Sequence, residues 1–166
     1  MARPDFFISD THFRHHKIIE FEAAHRPFAT IEEHDAELVK RWNARVGHKD
    51  IVLHCGDVFF GQGHEVLAEL NGIIWLVPGN HDEYPWARYG RFARFHGAYA
   101  MGRAVFTHIP SHPLFFGSDR RWQVNVHGHC HSRPPISPRH INISVEHTGL
   151  APLPYAELRE RIRNVV

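Results

Sequence analysis

The sequence predicts an α/β domain, and three observations carry that expectation. Short apolar runs that read as strands alternate with amphipathic stretches through the first half of the chain. The second half is richer in strand-like runs. Residues of metal-binding type follow the carboxyl ends of these runs, where open α/β sheets place their ligands. A chain of 166 residues fits one domain over positions 1–166, long enough to bury about two-thirds of its unfolded surface.

The elements follow in chain order. Phe6-Phe-Ile-Ser9 is an apolar run cut off by Asp10, as a buried first strand would be. Thr30-Ile-Glu-Glu33 is a capping box: the Thr hydroxyl can accept from the Glu33 amide while Glu33 reaches back. Behind it Ile31, Leu38, Val39, Trp42 and Val46 recur at helical steps, which predicts an amphipathic helix ending at Gly47. Ile51–Cys55 is the next strand, and Gly56-Asp57 turns off its end. A second helix is expected from His64 to Leu70, stopped by Asn71-Gly72. Ile73–Val77 is continuous in apolar residues, as in a strand buried on both faces, and Pro78-Gly-Asn-His-Asp82 forms the loop after it.

Beyond that loop, Arg103–Thr107, Gln123–Val126 and His140–Val145 read as strands, with Tyr99–Gly102 as a turn region. A final helix follows Pro154, with Leu158 and Ile162 inward. Between Trp86 and Phe95 the residues Arg88, Arg91 and Arg94 interleave with Tyr89, Phe92 and Phe95. A helical turn or two that buries the aromatics and leaves the arginines wet is favoured over a stacking surface for single-stranded nucleic acid. The segment from Pro110 to Trp122 is long for a loop and is expected to border a substrate.

Composition excludes several classes. The formal charge of +1 is wrong for a protein that coats a polyanion. Two cysteines, Cys55 and Cys130, are too few for a disulfide framework and read as thiols in a reducing cytosol. No basic-plus-apolar leader precedes Asp5, and the longest apolar run is far too short for a membrane span, so a cytoplasmic location without a membrane partner is expected. Histidine stands out at 17 residues, more than the motifs use, and some of the excess is expected on a surface that charges below about pH 6.5.

Five stretches carry the chemistry: Asp10-Thr-His12, Gly56-Asp57, Gly79-Asn-His-Asp82, His108, and Gly128-His-Cys-His131. Asp, Asn and His with no thiolate requirement suit Mn²⁺, Fe or Zn²⁺ better than Ca²⁺ or a structural zinc, and Ni²⁺ is also compatible. If Gly-His-x-His is extended, its two histidines diverge and serve two neighbouring ions instead of one. Two ions need a bridging group, and a carboxylate on a sharp Gly-Asp turn supplies one.

In this order the motifs resemble those of the calcineurin-like metallophosphoesterases. Ser9-Asp-Thr-His-Phe13, Arg26-Pro-Phe28, Trp42-Asn43 and the Asn142–Glu146 stretch are similar to the small bacterial and phage-type members, so the resemblance covers nearly the whole chain. It implies a four-layer α/β/β/α sandwich of two mixed β-sheets flanked by helices, where the elements alone would equally allow one doubly wound sheet. It implies one divalent transition-metal ion, Mn²⁺ foremost, on Asp10, His12 and His131, and a second on Asn80, His108 and His129, with Asp57 bridging. A hydroxide between the ions would attack phosphorus, and His81 would contact the phosphoryl group or protonate the leaving alkoxide.

The chain also departs from relatives. Protein Ser/Thr phosphatases of the superfamily carry Asp-Arg-Gly after the Gly-Asp motif, where this chain reads Val58-Phe-Phe-Gly61. Asp82 is then the candidate acidic partner for His81, and Arg14 and His15 are candidate substrate contacts. The expected activity is phosphate-ester hydrolysis, diesters favoured because no insertion is large enough to form a cap; nucleotides and nucleic acid fall within that substrate class. The alternatives are a phosphomonoesterase and a metal-binding scaffold of the same fold. The sequence does not specify an oligomeric state.

Overall fold

A computed structural model of the chain describes residues 2–83 and 85–165. Two sheets organise it. In the first, β1 (Phe6–Ile8), β2 (Ile51–His54), β3 (Ile73–Leu76) and β4 (Phe92–Phe95) run parallel in spatial order β4-β3-β2-β1, and β9 (Leu153–Pro154) adds an antiparallel edge beside β1. In the second, β5 (Tyr99–Met101) is antiparallel to β6 (Ala104–Thr107), which continues in parallel to β7 (Val124–His127) and β8 (His140–Asn142). The α-helices among the described residues are α1 (Ile18–Phe21), α2 (Ile31–Arg45), α3 (Val145–Thr148) and α4 (Tyr155–Arg163). Both sheets are mixed, as the resemblance implies.

Alternation of side chains makes two cores. Ile8, Val52, Ile74 and Leu76 face one way and bury against Leu38 and Trp42 of α2 and Val66 and Leu67 of a 3₁₀ helix, Gly61–Glu69. Phe7, Leu53 and Trp75 face the other way and meet Phe106, Val124, Val126 and Ile141 of the second sheet, with Leu158 of α4. The Phe7 and Phe106 rings stack with centroids 5.1 Å apart. Burying each such apolar side chain contributes about 1.5–3 kcal/mol.

Several expectations hold and several are corrected. The Thr30 hydroxyl accepts from the Glu33 amide at 3.2 Å, but Glu33 reaches back to the amide of Ala29, one residue before the cap. The expected 64–70 helix is the longer 3₁₀ helix, ended before Gly72, whose φ of +92° turns the chain into β3. Tyr99–Met101 is a strand, not a turn, because its backbone pairs with β6. The strand expected over 140–145 ends at Asn142, where Val145 starts α3.

The Trp86–Phe95 segment divides into a 3₁₀ turn and β4, and its arginines are engaged. Arg91 donates to the carbonyls of Leu70 and Gly72, and Arg94 lies 4.5 Å over the Trp75 ring. The 110–122 segment leaves the strand-end residue His108 and packs elsewhere over part of its length. It covers the outer face of the second sheet, where Asn125 accepts from the Ser111 amide and His140 bonds the Ser111 carbonyl at 2.8 Å.

The surplus histidines divide: His16, His25, His48 and His112 are exposed, as expected of a surface, and others are internal. His34, His54, His127 and His140 are all buried. Burial holds His54 down to about 3 and His127 down to about 4, so both stay neutral in the fold. The unfolded chain binds these protons near pH 6.5, so their contribution is full above that pH and fades as pH falls toward 4 and 3. His108, whose value is raised to about 9, contributes fully below 6.5 and loses its contribution as pH rises through 9. Asp10 and Asp82, pushed up by burial, oppose the acid loss in part. The expected result is a urea midpoint that peaks near neutral pH and falls steadily from pH 6.5 to 4. A midpoint that stays level or rises over that acid range would count against buried neutral histidines.

Candidate metal centre

Parallel pairing does not stop where the strands stop. Past β1 and β2 the amides of Asp10, His12 and Phe13 donate to the carbonyls of Gly56, Asp57 and Val58, so the first two motifs run side by side. Ser9 also bridges to Ser144, just past β8 of the second sheet: its amide donates to the Ile143 carbonyl, and the Val145 amide donates to the Ser9 carbonyl. The crevice between the sheets thus gathers loops from both.

The backbone there is unusual. Asp10, His12, Asp57, His129 and His131 all adopt φ between 47° and 66°. Left-handed backbone costs a non-glycine residue about 1–3 kcal/mol and collects where function requires it, and Asp and His bear it better than most. The glycines of two motifs answer a different demand, close approach. At Gly56 a Cβ would sit 2.5 Å from the Gly79 amide nitrogen and 2.7 Å from His108 Nδ1. At Gly128 it would overlap Ser9 Oγ and the Asp10 carboxylate.

Two groups of side chains result. One ligand-type atom from each of Asp10, His12 and His131 lies within 4.8 Å of the others, and the same holds for Asp57, His108 and His129. Asn80 joins the second group, its Oδ1 lying 3.0 Å from His108 Nε2. Asp57 lies between the groups, its Oδ2 3.7 Å from His12 Nε2 and 3.3 Å from His108 Nε2. Gly128-His-Cys-His131 sends one histidine to each group, although the segment is not extended. The division comes from left-handed turns and not from strand alternation.

The electrostatics suit cations. Burial opposes protonation of His108, but its bond to Asp57 and the charges of Asp10 and Asp57 outweigh that and raise it to about 9. At His131 burial is likewise outweighed, by Glu146 and Asp10. Burial pushes the Asp10 carboxyl up. Both nitrogens of His12 are buried with no hydrogen-bond partner among the described residues, while burial and neighbouring cations hold the ring neutral. Imidazoles, carboxylates and an amide oxygen match divalent transition metals, whose binding displaces the imidazole proton, so the residues fit such ions. Cys55 is fully buried with its thiol pushed up, and it offers only its carbonyl, to Ser9 Oγ and His108 Nδ1.

The remaining candidates are placed as follows. His81 belongs to neither group. Its amide donates to Asp57 Oδ1 at 2.9 Å, and its exposed ring sits 5.1 Å from the Phe60 ring. The Phe60 ring also stacks on His15 at 4.0 Å. Burial, then His81 and Arg26, hold His15 down to about 4, so it borders the site as a neutral ring. Asp82 does not bond the His81 side chain. Its carboxylate accepts from the amides of Asp57, Val58 and Gly79 at 2.8, 3.0 and 2.8 Å, tying two motif loops together. Arg14 is taken up by Glu32 at 2.9 Å and Asp35 at 3.5 Å, which turns it toward α2.

Arg26, Glu146 and Ser144 lie in stretches that carry the resemblance, but the sequence alone assigns them no role. Arg26 is wholly buried against Glu146, and Ser144 Oγ donates to Asp10 at 2.9 Å. The available signal was charge in apolar company: Arg26 precedes Pro27-Phe28, and Glu146 follows Ile143-Ser-Val145.

Asp57, His81, His129 and His131 line a cavity of about 410 Å³ with Phe21, Glu22, Cys130 and Arg133. A second cavity, of about 350 Å³, opens at Asn80 and His108. Neither is lined by residues 110–122. No helix among the described residues is long and apolar enough to cross a membrane.

Two mixed sheets that deliver paired Asp and His groups from their strand ends define the metallophosphoesterase class. The chain belongs to the calcineurin-like phosphoesterase family, which it matches over residues 6–159. An uncharacterized protein of Methanocaldococcus jannaschii is 34% identical over 91% of this chain and 86% of its own length. The gene 66 protein of Mycobacterium phage L5 is 31% identical over 87% of this chain and 85% of its own. A crystal structure of a protein of unknown function from Aquifex aeolicus superposes with a TM-score of 0.74 over 93% of this chain and 97% of that one, at 21% identity, a likeness of fold. The family is one of metal-dependent phosphoester hydrolysis, and among the described residues three groups could hold a metal, the two above and Glu22, His131 and Glu146.

Proposed function

We propose that the protein hydrolyses phosphate esters, diesters in preference to monoesters, at a centre of two divalent ions, with Mn²⁺ the ion to use first. The position of Asp57 carries the reading: one carboxylate lies within 3.7 Å of His12 and 3.3 Å of His108, as a bridging group must. Asp10, His12 and His131 would hold one ion, and Asn80, His108 and His129 the other. When bound, the ions would supply Lewis acidity and a nucleophile from water, whose pKa such sites lower from about 15.7 toward 7.

The chain's own residues do the rest. The Asp57 carboxylate fixes the His81 amide, which holds the imidazole at the cavity edge to donate a proton to the departing oxygen. Phe60 lies against one side of that ring and stacks in turn on His15. Arg133 lines the cavity, whereas Arg14 is spent on Glu32 and Asp35, so Arg133 is the phosphate contact. Phe21, 68% exposed at the rim, gives the organic part of the ester an apolar surface, as a nucleotide base would use. The exposed His81 and His129 leave the cavity open, and an open cavity admits the second ester arm of a diester.

The expected result is that Mn²⁺-loaded protein cleaves bis-p-nitrophenyl phosphate faster than p-nitrophenyl phosphate. Arg133→Ala should raise KM about tenfold, the loss of roughly 1.4 kcal/mol of a charge-assisted contact. Faster cleavage of the monoester would overturn the diester preference and leave the hydrolase reading standing. A loaded protein inert to both esters would point to a scaffold.

A further inference from the structure

We propose that Glu146, gripped by Arg26, is the positioning residue for His131 and makes the Asp10–His12–His131 site the tighter of the two. The inference rests on the two-ion reading above and concerns how the chain builds one of those sites.

Arg26 is fully buried, and its guanidinium contacts gather behind that site and on His34 of α2. One amino group donates to the Asp10 carbonyl at 2.6 Å and to Glu146 Oε1 at 2.7 Å, and Nε donates to the same oxygen at 2.9 Å. The other amino group donates to the Thr11 carbonyl at 3.2 Å and meets His34 Nε2 at 3.1 Å. Donation from arginine makes that nitrogen the acceptor, so His34 Nδ1 carries the proton toward Asp35 at 2.9 Å. A single cation therefore holds the loop that carries Asp10 and His12.

The same cation holds the carboxylate that carries His131. Glu146 Oε1 lies 3.1 Å from His131 Nδ1, with the Glu146 side chain wholly buried. A carboxylate paired to arginine only accepts, so Nδ1 is the protonated nitrogen and Nε2, 4.0 Å from Asp10, is left unprotonated toward the site. Carboxylates behind a ligating histidine fix its tautomer and raise its basicity.

The other site lacks such support. His108 Nδ1 has only the Cys55 carbonyl, a neutral acceptor, at 2.8 Å. His129 is exposed, and no hydrogen bond of its ring occurs among the described residues. The two sites are thus built unequally, one on a buried ion pair and one on a backbone carbonyl.

The test is calorimetric titration of chelator-stripped protein with Mn²⁺ alone, on the full chain. Wild type should take up two equivalents in resolved steps. Glu146→Gln should weaken the tighter step about 10–100-fold and leave the looser step unchanged. Asn80→Ala should weaken the looser step only, and Glu146→Asp should restore part of the tight step. Asp also covers the case in which Gln fails to fold, since it keeps the charge beside Arg26. Equal weakening of both steps in Glu146→Gln, or unchanged affinities, would overturn the proposal. So would loss of a third equivalent, which would make Glu146 a ligand in its own right with Glu22 and His131. A wild type that binds no ion would overturn the two-ion reading and this proposal with it.

Discussion

His81→Ala should lower kcat by about 10²–10⁴ while the protein retains both ions, the range by which a positioned proton donor accelerates a reaction. The size of the effect follows from where His81 stands. It belongs to neither ligand group, yet its amide is bonded to the carboxylate that lies between them. Removing the imidazole takes away a proton donor and leaves the amide contact in place. Metal content per chain, read by elemental analysis, separates the possible roles. Loss of an ion would make His81 a ligand, and undiminished kcat would make it a solvated histidine. The deficit should shrink on esters with acidic leaving groups, which need no proton to depart.

Asp82→Ala should destabilise the fold by about 3–5 kcal/mol, read as a shift in the urea midpoint at constant slope. One largely buried carboxylate accepts from three amides, those of Asp57, Val58 and Gly79. Truncation strands three donors, each costing about 1–3 kcal/mol, and the void offers water a partial remedy. The same change should loosen Mn²⁺ binding, because the Gly56–Val58 turn that carries Asp57 loses its tie to the Gly79 loop. An alternative role as acidic partner to His81 predicts something different: unchanged stability and a displaced pH–rate profile. Among the described residues Asp82 makes no such contact with His81, since all three bonds go to backbone amides.

The motifs were legible because their chemistry is local. Asp10, Asp57, Asn80 and His108 each follow a strand, and a residue just past a parallel strand's carboxyl end meets its neighbours there. Alternation of Phe6-Phe-Ile and the helical spacing of Leu38 and Trp42 likewise fix which faces are buried. Other parts were not legible, for identifiable reasons. Tyr99–Met101 has no strand signature of its own and is a strand because β6 supplies its partners. The anchoring of the 110–122 segment was not legible because its partners, Asn125 and His140, lie further along the chain. Arg14 could not be told from a phosphate contact until α2 placed Glu32 and Asp35 against it.

The sequence by itself determined that strand-end Asp, Asn and His residues would form a divided metal-binding pocket, because residue type and strand order dictate it. Tertiary structure decided the means. Gly128-His-Cys-His131 splits its histidines by left-handed turns and not by pleat alternation, since Gly128 must lie against Ser9 and Asp10. It turned Asp82 from a candidate catalytic partner into a clamp, and Arg26 and Glu146, 120 residues apart, into one buried ion pair behind His131. Burial explains why only the folded chain reveals these roles. Charged groups shut away from water must satisfy one another, and which partners they find depends on contacts no local pattern records.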